Sequence, residues 1–263
     1  MVDALIQQDE HKETEFGDPA YWEAYYQAAP SQGEESWDWL ADWAVLQPVF
    51  EQLGQNSVKC RVLHLGVGNS ELPEDMWDGG YVHQTCVDVS PAVVAHMTTR
   101  CRAKCPSIRW LVGDVTDLQG SLQDEMFDLV VGKCLVDALV CADDRELLIA
   151  KYLHEAWSRL APDGIFVSLE AQRPQRMLPW FEHQAFSWCV RVLRLLDSRG
   201  RPSGDVMYIC TKQEPTEAAL QGWPVLLQSI LDGVSPLTLS NEAVGGEFQK
   251  SSQCATGQSG FSK

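Results

Sequence analysis

Residues 61–72 read Arg-Val-Leu-His-Leu-Gly-Val-Gly-Asn-Ser-Glu-Leu, an apolar run that ends in two closely spaced glycines. The first five residues predict a short buried strand, and the glycines at 66 and 68 predict a tight turn directly after it. A glycine has no Cβ atom, so the backbone of this turn can approach a ligand closely. The helix expected to begin near Ser70 would point its N-terminal N–H groups at the same place. The segment therefore predicts a strand, a ligand-binding turn and a helix.

Apolar runs and helical patterns alternate through the central part of the chain. The apolar runs that follow are 82–89, 108–112, 127–131 and 165–169, and the helical patterns between them are 71–78, 91–104 and 145–161. This alternation indicates βαβ units and a parallel sheet covered on both faces. Two further runs, 187–196 and 205–212, have no helix between them and favour an antiparallel pair at the edge. We therefore predict an α/β fold with a seven-stranded, mostly parallel, Rossmann-like sheet, an antiparallel edge strand and helices on both faces.

The polar ends of the chain set the expected domain boundaries. Residues 1–17 are acidic and predict a flexible N-terminus. The main domain is expected over 18–212, and its first part, 18–54, contains two helical patterns, at about 18–28 and 37–53. Residues 213–263 predict a C-terminal extension with one helix around 218–231 and then a disordered tail rich in Ser, Gly and Gln.

Charge and composition exclude several functional classes. Lys and Arg number 20 against 37 Asp and Glu, which gives a formal net charge of −17 and argues against binding a nucleic-acid backbone. A basic protein partner or a neutral substrate suits this charge better. Neither a membrane-spanning run nor a secretory or transit signal is visible, so we expect a cytoplasmic protein and, by default, a monomer. The cysteines include no Cys-x-x-Cys pair and the histidines show no metal-ligand spacing, so no metal site is predicted.

Two predicted strands after the glycine turn end in residues suited to an adenosine ligand. Asp88 lies twenty residues beyond Gly68, where a carboxylate can accept both ribose hydroxyls, and Asp114 follows the third strand. The third glycine of the dinucleotide fingerprint is replaced by Glu71, which disfavours NAD and FAD. Two simpler interpretations stay open at this point: the glycines form only a tight turn, and Asp88 or Ser90 only caps a helix.

The chain resembles the class I S-adenosylmethionine-dependent methyltransferases over about residues 18–212. Within them it is similar to the group that methylates lysines of translation elongation factor 1-alpha and of citrate synthase. The matching segments are Tyr21-Trp22-x-x-x-Tyr26, Trp37-Asp38-Trp39, the stretch 65–72, and Val131-Gly-Lys-Cys-Leu-Val-Asp-Ala138.

The resemblance implies S-adenosyl-L-methionine as cofactor and a role for each matching residue. The aromatic residues would close over the methionine end, the glycine turn would lie beneath it, and the strand ends would hold the ribose and the adenine. The implied cofactor residues are Trp22, Tyr26, Trp39, Gly66, Gly68, Asp88, Val89, Asp114, Val115 and Lys133. The tryptophans also fit a core stripe at helical spacing, which is the competing interpretation.

The sequence departs from the family on the substrate side. The family usually has an acid before the lysine and Gly-Thr after it, where this chain has Gly132 and Cys134-Leu135. Asp137 matches the family, and Asp137 and Glu170 are the candidate general bases. His64 lies inside a predicted strand, so we expect it to be buried and hydrogen-bonded and not catalytic.

The implied function is a protein-lysine N-methyltransferase. The acidic composition favours a basic protein substrate, and the missing transit peptide favours elongation factor 1-alpha over mitochondrial citrate synthase. The alternatives are a small-molecule methyltransferase, a non-catalytic methyltransferase-like binding module and, more remotely, a Rossmann oxidoreductase.

Overall fold

The computed structural model describes residues 13–32, 36, 38–54, 57–196 and 200–234. After a 3-10 helix at Glu13–Gly17, the elements in chain order are α1 (Pro19–Gln32), α2 (Trp43–Gln52), β1 (Arg61–Leu65), α3 (Leu72–Asp78), β2 (His83–Asp88), α4 (Pro91–Cys101), β3 (Arg109–Val112), α5 (Gln119–Leu122), β4 (Phe127–Lys133), α6 (Leu135–Leu139), α7 (Arg145–Arg159), β5 (Leu160–Glu170), α8 (Pro174–Phe181), β6 (Trp188–Leu196), β7 (Pro202–Lys212) and α9 (Glu217–Leu231). No helix in these ranges combines the length and apolarity that a bilayer crossing requires.

The strands form one seven-stranded sheet in the order β3-β2-β1-β4-β5-β7-β6. The first five strands of the chain pair in parallel, and β7 pairs antiparallel with both β5 and β6. The predicted fold class is therefore confirmed. Because parallel strands point the same way, the carboxyl ends of β1 to β4 meet at one edge of the sheet.

Alternate residues of the strands supply cores on both faces of the sheet. In β1, Leu63 and Leu65 belong to one buried apolar cluster with α7 and α8, whereas Val62 belongs to another with α2 and α3. Successive side chains of a strand point to opposite faces. A mainly apolar run such as 61–65, in which only Arg61 and His64 are polar, is therefore the sequence pattern of a strand that is buried on both sides.

The predicted helix at 37–53 is wrong in its first part. Residues 38–42 are not helical, and α2 begins at Trp43, with Asp42 as its N-cap accepting a hydrogen bond from the Val45 N–H at 3.2 Å. Leu40 has φ 63°, a left-handed conformation that a helix cannot include. A helical spacing is kept by Trp39, Trp43, Leu46 and Phe50. The cap at Asp42 nevertheless starts the helix after Trp39, so Trp39 lies outside it.

Several short elements are absent from the sequence prediction. The helices α5, α6 and α8 have 4, 5 and 8 residues, too few to show a clear period. The expected flexible residues 1–12 and the expected tail after 234 lie outside the described residues, and 13–17 form the 3-10 helix.

Candidate active site

A cavity of about 740 Å³ opens at the carboxyl ends of the parallel strands. This volume is within the range of pockets that bind small molecules and cofactors. All ten predicted cofactor residues and Asp137 line it, whereas Glu170 does not. The lining residues predicted from the sequence are Trp22, Tyr26, Trp39, Gly66, Gly68, Asp88, Val89, Asp114, Val115, Lys133 and Asp137.

The glycine turn after β1 forms the floor of the cavity. Gly66 and Gly68 have φ of 59° and 57°, the left-handed region that glycine adopts without steric cost. A Cβ atom at position 66 would lie 2.9 Å from Leu135 Cδ1, and one at position 68 would overlap the hydroxyl of Tyr26. The turn therefore requires glycine at both positions, for its conformation and for the close approach of side chains above it.

Asp88 at the end of β2 is held by the backbone of this turn. The N–H of Gly68 donates to Asp88 Oδ2 at 2.8 Å, and the N–H of Ser90 donates to Oδ1 at 3.0 Å. Burial raises the pKa of Asp88, and these N–H donors act in the opposite direction. Because each carboxylate oxygen has a second lone pair, Asp88 can still accept two vicinal hydroxyls. The N-cap of α4 is Ser90, whose Oγ accepts from the Val93 N–H at 3.3 Å, so capping does not explain Asp88.

The third strand end contributes to the rim of the cavity. Asp114 is exposed, and its Oδ1 accepts hydrogen bonds from the N–H and the hydroxyl of Thr116, both at 2.8 Å. Val115 next to it is buried and apolar. The pair offers a polar edge beside an apolar wall, which suits a flat heteroaromatic ring.

Helix α1 covers the cavity with aromatic side chains. Trp22 and Tyr26 stack with centroids 6.1 Å apart and ring planes 27° apart. Glu23 on the same helix accepts hydrogen bonds from Ser90 Oγ at 2.5 Å and from the Ala92 N–H at 3.1 Å, which fixes α1 to the N-terminus of α4. Aromatic faces above a cavity attract cations such as a sulfonium.

Lys133 at the end of β4 forms an ion pair with Asp38. The Asp38 carboxylate accepts from Lys133 Nζ and from the hydroxyl of Ser70, and Lys133 Nζ also donates to the Ala41 carbonyl at 3.3 Å. The ion pair ties the non-helical segment 38–42 to the sheet edge and so brings Trp39 to the cavity. Sequence reasoning missed this role, although Asp38 stands in the quoted Trp37-Asp38-Trp39 segment. Asp38 therefore places an acid next to Lys133, where the family usually has one at the position of Gly132.

We expect Asp38→Ala to lower the free energy of unfolding by about 1–3 kcal/mol, because a largely buried ammonium and the Ser70 hydroxyl would lose their shared acceptor. Urea denaturation measures the change. The matched control is Asp78→Ala, which removes an exposed ion pair with Lys104 at 2.8 Å and should cost at most about 1 kcal/mol. Equal costs for the two variants would contradict the structural role of Asp38.

The two candidate bases lie at different depths. Asp137 on α6 lines the cavity, whereas Glu170 at the end of β5 is fully buried behind it. His64 is buried and its Nε2 lies 2.6 Å from Gln84 Oε1, which confirms the expectation for this residue. Burial lowers the pKa of His64 to about 4, so its ring is neutral at pH 7.

The lining of the cavity also includes residues that the sequence analysis did not identify. They belong to α8 and to the first turn of α7, and neither sequence pattern predicted a site. These residues are Arg145, Glu146, Arg176, Met177 and Trp180. Among the residues that the structure describes, no group of three or more His, Cys, Asp or Glu is placed to hold a metal ion.

Comparisons with known proteins agree with this geometry. A methyltransferase-domain family model matches residues 62–164. EEF1A lysine methyltransferase 4 of Mus musculus is 30% identical over 179 residues, which cover 65% of this chain and 68% of that protein. The eEF1A lysine and N-terminal methyltransferase of Danio rerio is 29% identical over 230 residues, 82% of this chain but only 32% of that protein. The chain therefore spans about a third of the length of this second relative.

Solved structures share the fold at low sequence identity. The methyltransferase domain of bacterial CtHen1 superposes with a TM-score of 0.50 at 15% identity and covers 64% of this chain and 98% of that chain. TrmN from Thermus thermophilus gives a TM-score of 0.50 at 15% identity, covering 63% of this chain and 47% of that one. The glycine turn, the buried carboxylate of Asp88 and the aromatic side chains of α1 fit S-adenosylmethionine. The chain belongs to the class I S-adenosylmethionine-dependent methyltransferases, in the same family as the EEF1A lysine methyltransferase 4 proteins.

Proposed function

We propose that this methyltransferase modifies lysine side chains of a protein, and that its substrate is translation elongation factor 1-alpha. The observation that carries the proposal is the similarity to relatives whose names state this activity. The cavity supports it, because its substrate side combines a carboxylate, Asp137, with apolar walls that suit the long alkyl stem of a lysine.

The cofactor, when bound, supplies an electrophilic methyl group on a cationic sulfur. In our proposal Asp88 and Val89 hold the ribose, and Asp114 and Val115 frame the adenine. Trp22, Tyr26 and Trp39 cover the sulfonium, and Gly66 and Gly68 admit it to the floor of the cavity. Lys133 holds Asp38, and with it Trp39, in place. Transfer then needs alignment and exclusion of water more than covalent chemistry by the protein.

Charge supports a basic protein as the partner. The chain has a formal net charge of −17, which attracts a positively charged surface and repels a phosphate backbone. We propose that the enzyme works as a monomer in the cytoplasm, where translation factors act. We also propose that residues 18–212 form the methyltransferase domain, with 1–17 and 213–263 as extensions.

The test is a transfer assay with the whole chain, radiolabelled S-adenosylmethionine and purified elongation factor 1-alpha. We expect label in the factor, and peptide mass spectrometry should find one or more methyl groups on a lysine. A parallel reaction with cell lysate shows whether other acceptors compete. Label confined to small metabolites would indicate a small-molecule methyltransferase, and cofactor binding without any transfer would indicate a non-catalytic module. Either result overturns the proposal.

A further inference from the structure

A pair of carboxyl groups lies at the base of the substrate side of the cavity. The N–H of Asp137 donates to Glu170 Oε2 at 3.2 Å, and the hydroxyl of Ser168 is 2.7 Å from Glu170 Oε1. The N–H of Ala171 donates to Asp137 Oδ2 at 2.8 Å, so each carboxyl group accepts from the backbone at or next to the other residue. Asp137 lines the cavity, whereas Glu170 is 0% exposed.

An unpartnered oxygen and the closeness of two buried carboxyl groups both favour one bound proton on this pair. Asp137 Oδ1 is buried and meets no donor within the described part of the chain. Ionised carboxylates only accept hydrogen bonds, so a proton on Glu170 would supply the kind of donor that Asp137 Oδ1 lacks. Two buried like charges in contact are also unfavourable, and such pairs hold one proton between them.

The surroundings place this proton on Glu170. Burial and the neighbouring Asp137 charge hold the pKa of Glu170 well above its usual range. Burial also raises the pKa of Asp137, but backbone N–H donors from Ala171 and Gln172 stabilise its ionised form. The other titratable groups that act on Glu170 electrostatically are Cys134, Tyr152 and Tyr208, and an ionised form of any of them would favour the proton further.

The strand next to this pair, β4, has a glycine where the family usually has an acid. A Cβ atom on Gly132 would overlap the hydroxyl of Tyr152, which is fully buried against the sheet near Ser168. The β4–β5 register pairs Gly132 with Ser168, two residues before Glu170. The carboxyl group at this end of the cavity is therefore carried by β5, while position 132 of β4 must stay free of a side chain.

We propose that Asp137 and Glu170 hold one proton on Glu170, and that the ionised Asp137 takes the proton of the substrate ammonium group before methyl transfer. The inference rests on the proposed lysine substrate. One ammonium N–H bond breaks and its proton passes to Asp137. The freed electron pair of the nitrogen forms the bond to the methyl carbon, while the carbon–sulfur bond breaks and its electrons stay on sulfur. Asp137 then returns its proton to water. Asp137 is the catalytic residue and Glu170 is a positioning residue.

Three variants test these roles with the acceptor identified in the transfer assay. Asp137→Asn should lower kcat by about 10²- to 10⁴-fold, the usual contribution of a general base, and leave the Kd for S-adenosylhomocysteine within about twofold. Glu170→Gln keeps a neutral donor, so the acid limb of the pH profile should not move. Glu170→Leu removes the donor, so the acid limb should move to higher pH, by about one unit. A purely structural Glu170 would alter stability without moving this limb.

An ionised Glu170 would give a different pH profile. If Glu170 is ionised in the enzyme, Glu170→Gln removes a negative charge beside Asp137, and the acid limb moves to lower pH. That shift would overturn the inference, as would an Asp137→Asn enzyme with unchanged kcat.

Infrared spectroscopy tests the proton without any substrate. At pH 7 the wild-type protein should show a protonated-carboxyl C=O band that shifts in D₂O, is lost in Glu170→Gln and remains in Asp137→Asn. Absence of this band from the wild-type protein contradicts the proposal even if no variant folds. If no protein accepts a methyl group, the proposed function fails, and the infrared spectra alone decide whether the pair holds its proton.

Discussion

A Gly66→Val enzyme is expected to be folded and to have lost its cofactor, with the Kd for S-adenosylhomocysteine raised more than about 100-fold. Position 66 has φ 59°, and a left-handed conformation costs a residue with a Cβ atom about 1–2 kcal/mol. The Cβ atom would already lie 2.9 Å from Leu135, so the rest of the valine side chain must displace Leu135 or enter the cavity. Loss of 100-fold in affinity corresponds to about 2.7 kcal/mol, which steric exclusion from the cavity must supply, because backbone strain lowers stability in the free and the bound protein alike.

Isothermal titration calorimetry measures the loss, and a second glycine separates exclusion from strain. Gly233 has φ 78°, and a Cβ atom added there would meet no atom of the described residues within 4 Å, its chain neighbours aside. Gly233→Val therefore imposes backbone strain without touching the cavity. The control should lose some thermal stability and bind S-adenosylhomocysteine with wild-type affinity. If Gly66→Val binds S-adenosylhomocysteine with a Kd within about tenfold of the wild-type value, the turn is not part of the cofactor site.

The strands could be predicted because each one is a separate local pattern. An apolar run such as 61–65 indicates a strand buried on both faces, and the parallel order of the sheet then follows from the helices between the runs. The start of α2 could not be predicted, because Trp39 and Trp43 keep helical spacing on both sides of the cap at Asp42. In this place a single side chain to backbone hydrogen bond overrides the period.

The cofactor side of the site could be predicted from the sequence for the same reason. Parallel strands bring Asp88 and Asp114 to one edge whatever the detail of the loops. The pairing of Asp38 with Lys133 joins residues 95 positions apart, and no periodicity reports such a contact. Glu170 shows a further limit, because its place at a strand end is visible in the sequence but its burial behind Asp137 is not.

Replacing Asp88 by alanine should weaken cofactor binding by about 1–3 kcal/mol, or roughly 5- to 150-fold, because charge-assisted hydrogen bonds to the ribose are lost. The same substitution should also lower the stability of the fold. The N–H groups of Gly68 and Ser90 lose their acceptor, so the free energy of unfolding should also fall, by about 1–3 kcal/mol. Asp88→Asn retains an acceptor oxygen without the charge and should fall between the wild type and Asp88→Ala in both measurements. Calorimetric titration and urea denaturation give the two values.

A double cycle with a modified ligand separates the ribose contact from damage to the turn. S-Adenosylhomocysteine and its 2′-deoxy analogue are titrated against the wild type and Asp88→Ala. If Asp88 holds the ribose, the wild type should already bind the analogue weakly. The Asp88→Ala substitution should then lower the affinity for the analogue much less than the affinity for S-adenosylhomocysteine. The difference between the two losses is the coupling energy of carboxylate and hydroxyl, expected to be about 1 kcal/mol or more for groups in direct contact. Equal losses for both ligands would mean that Asp88 supports the turn without touching the ribose. The cavity would then have to bind its cofactor in another orientation.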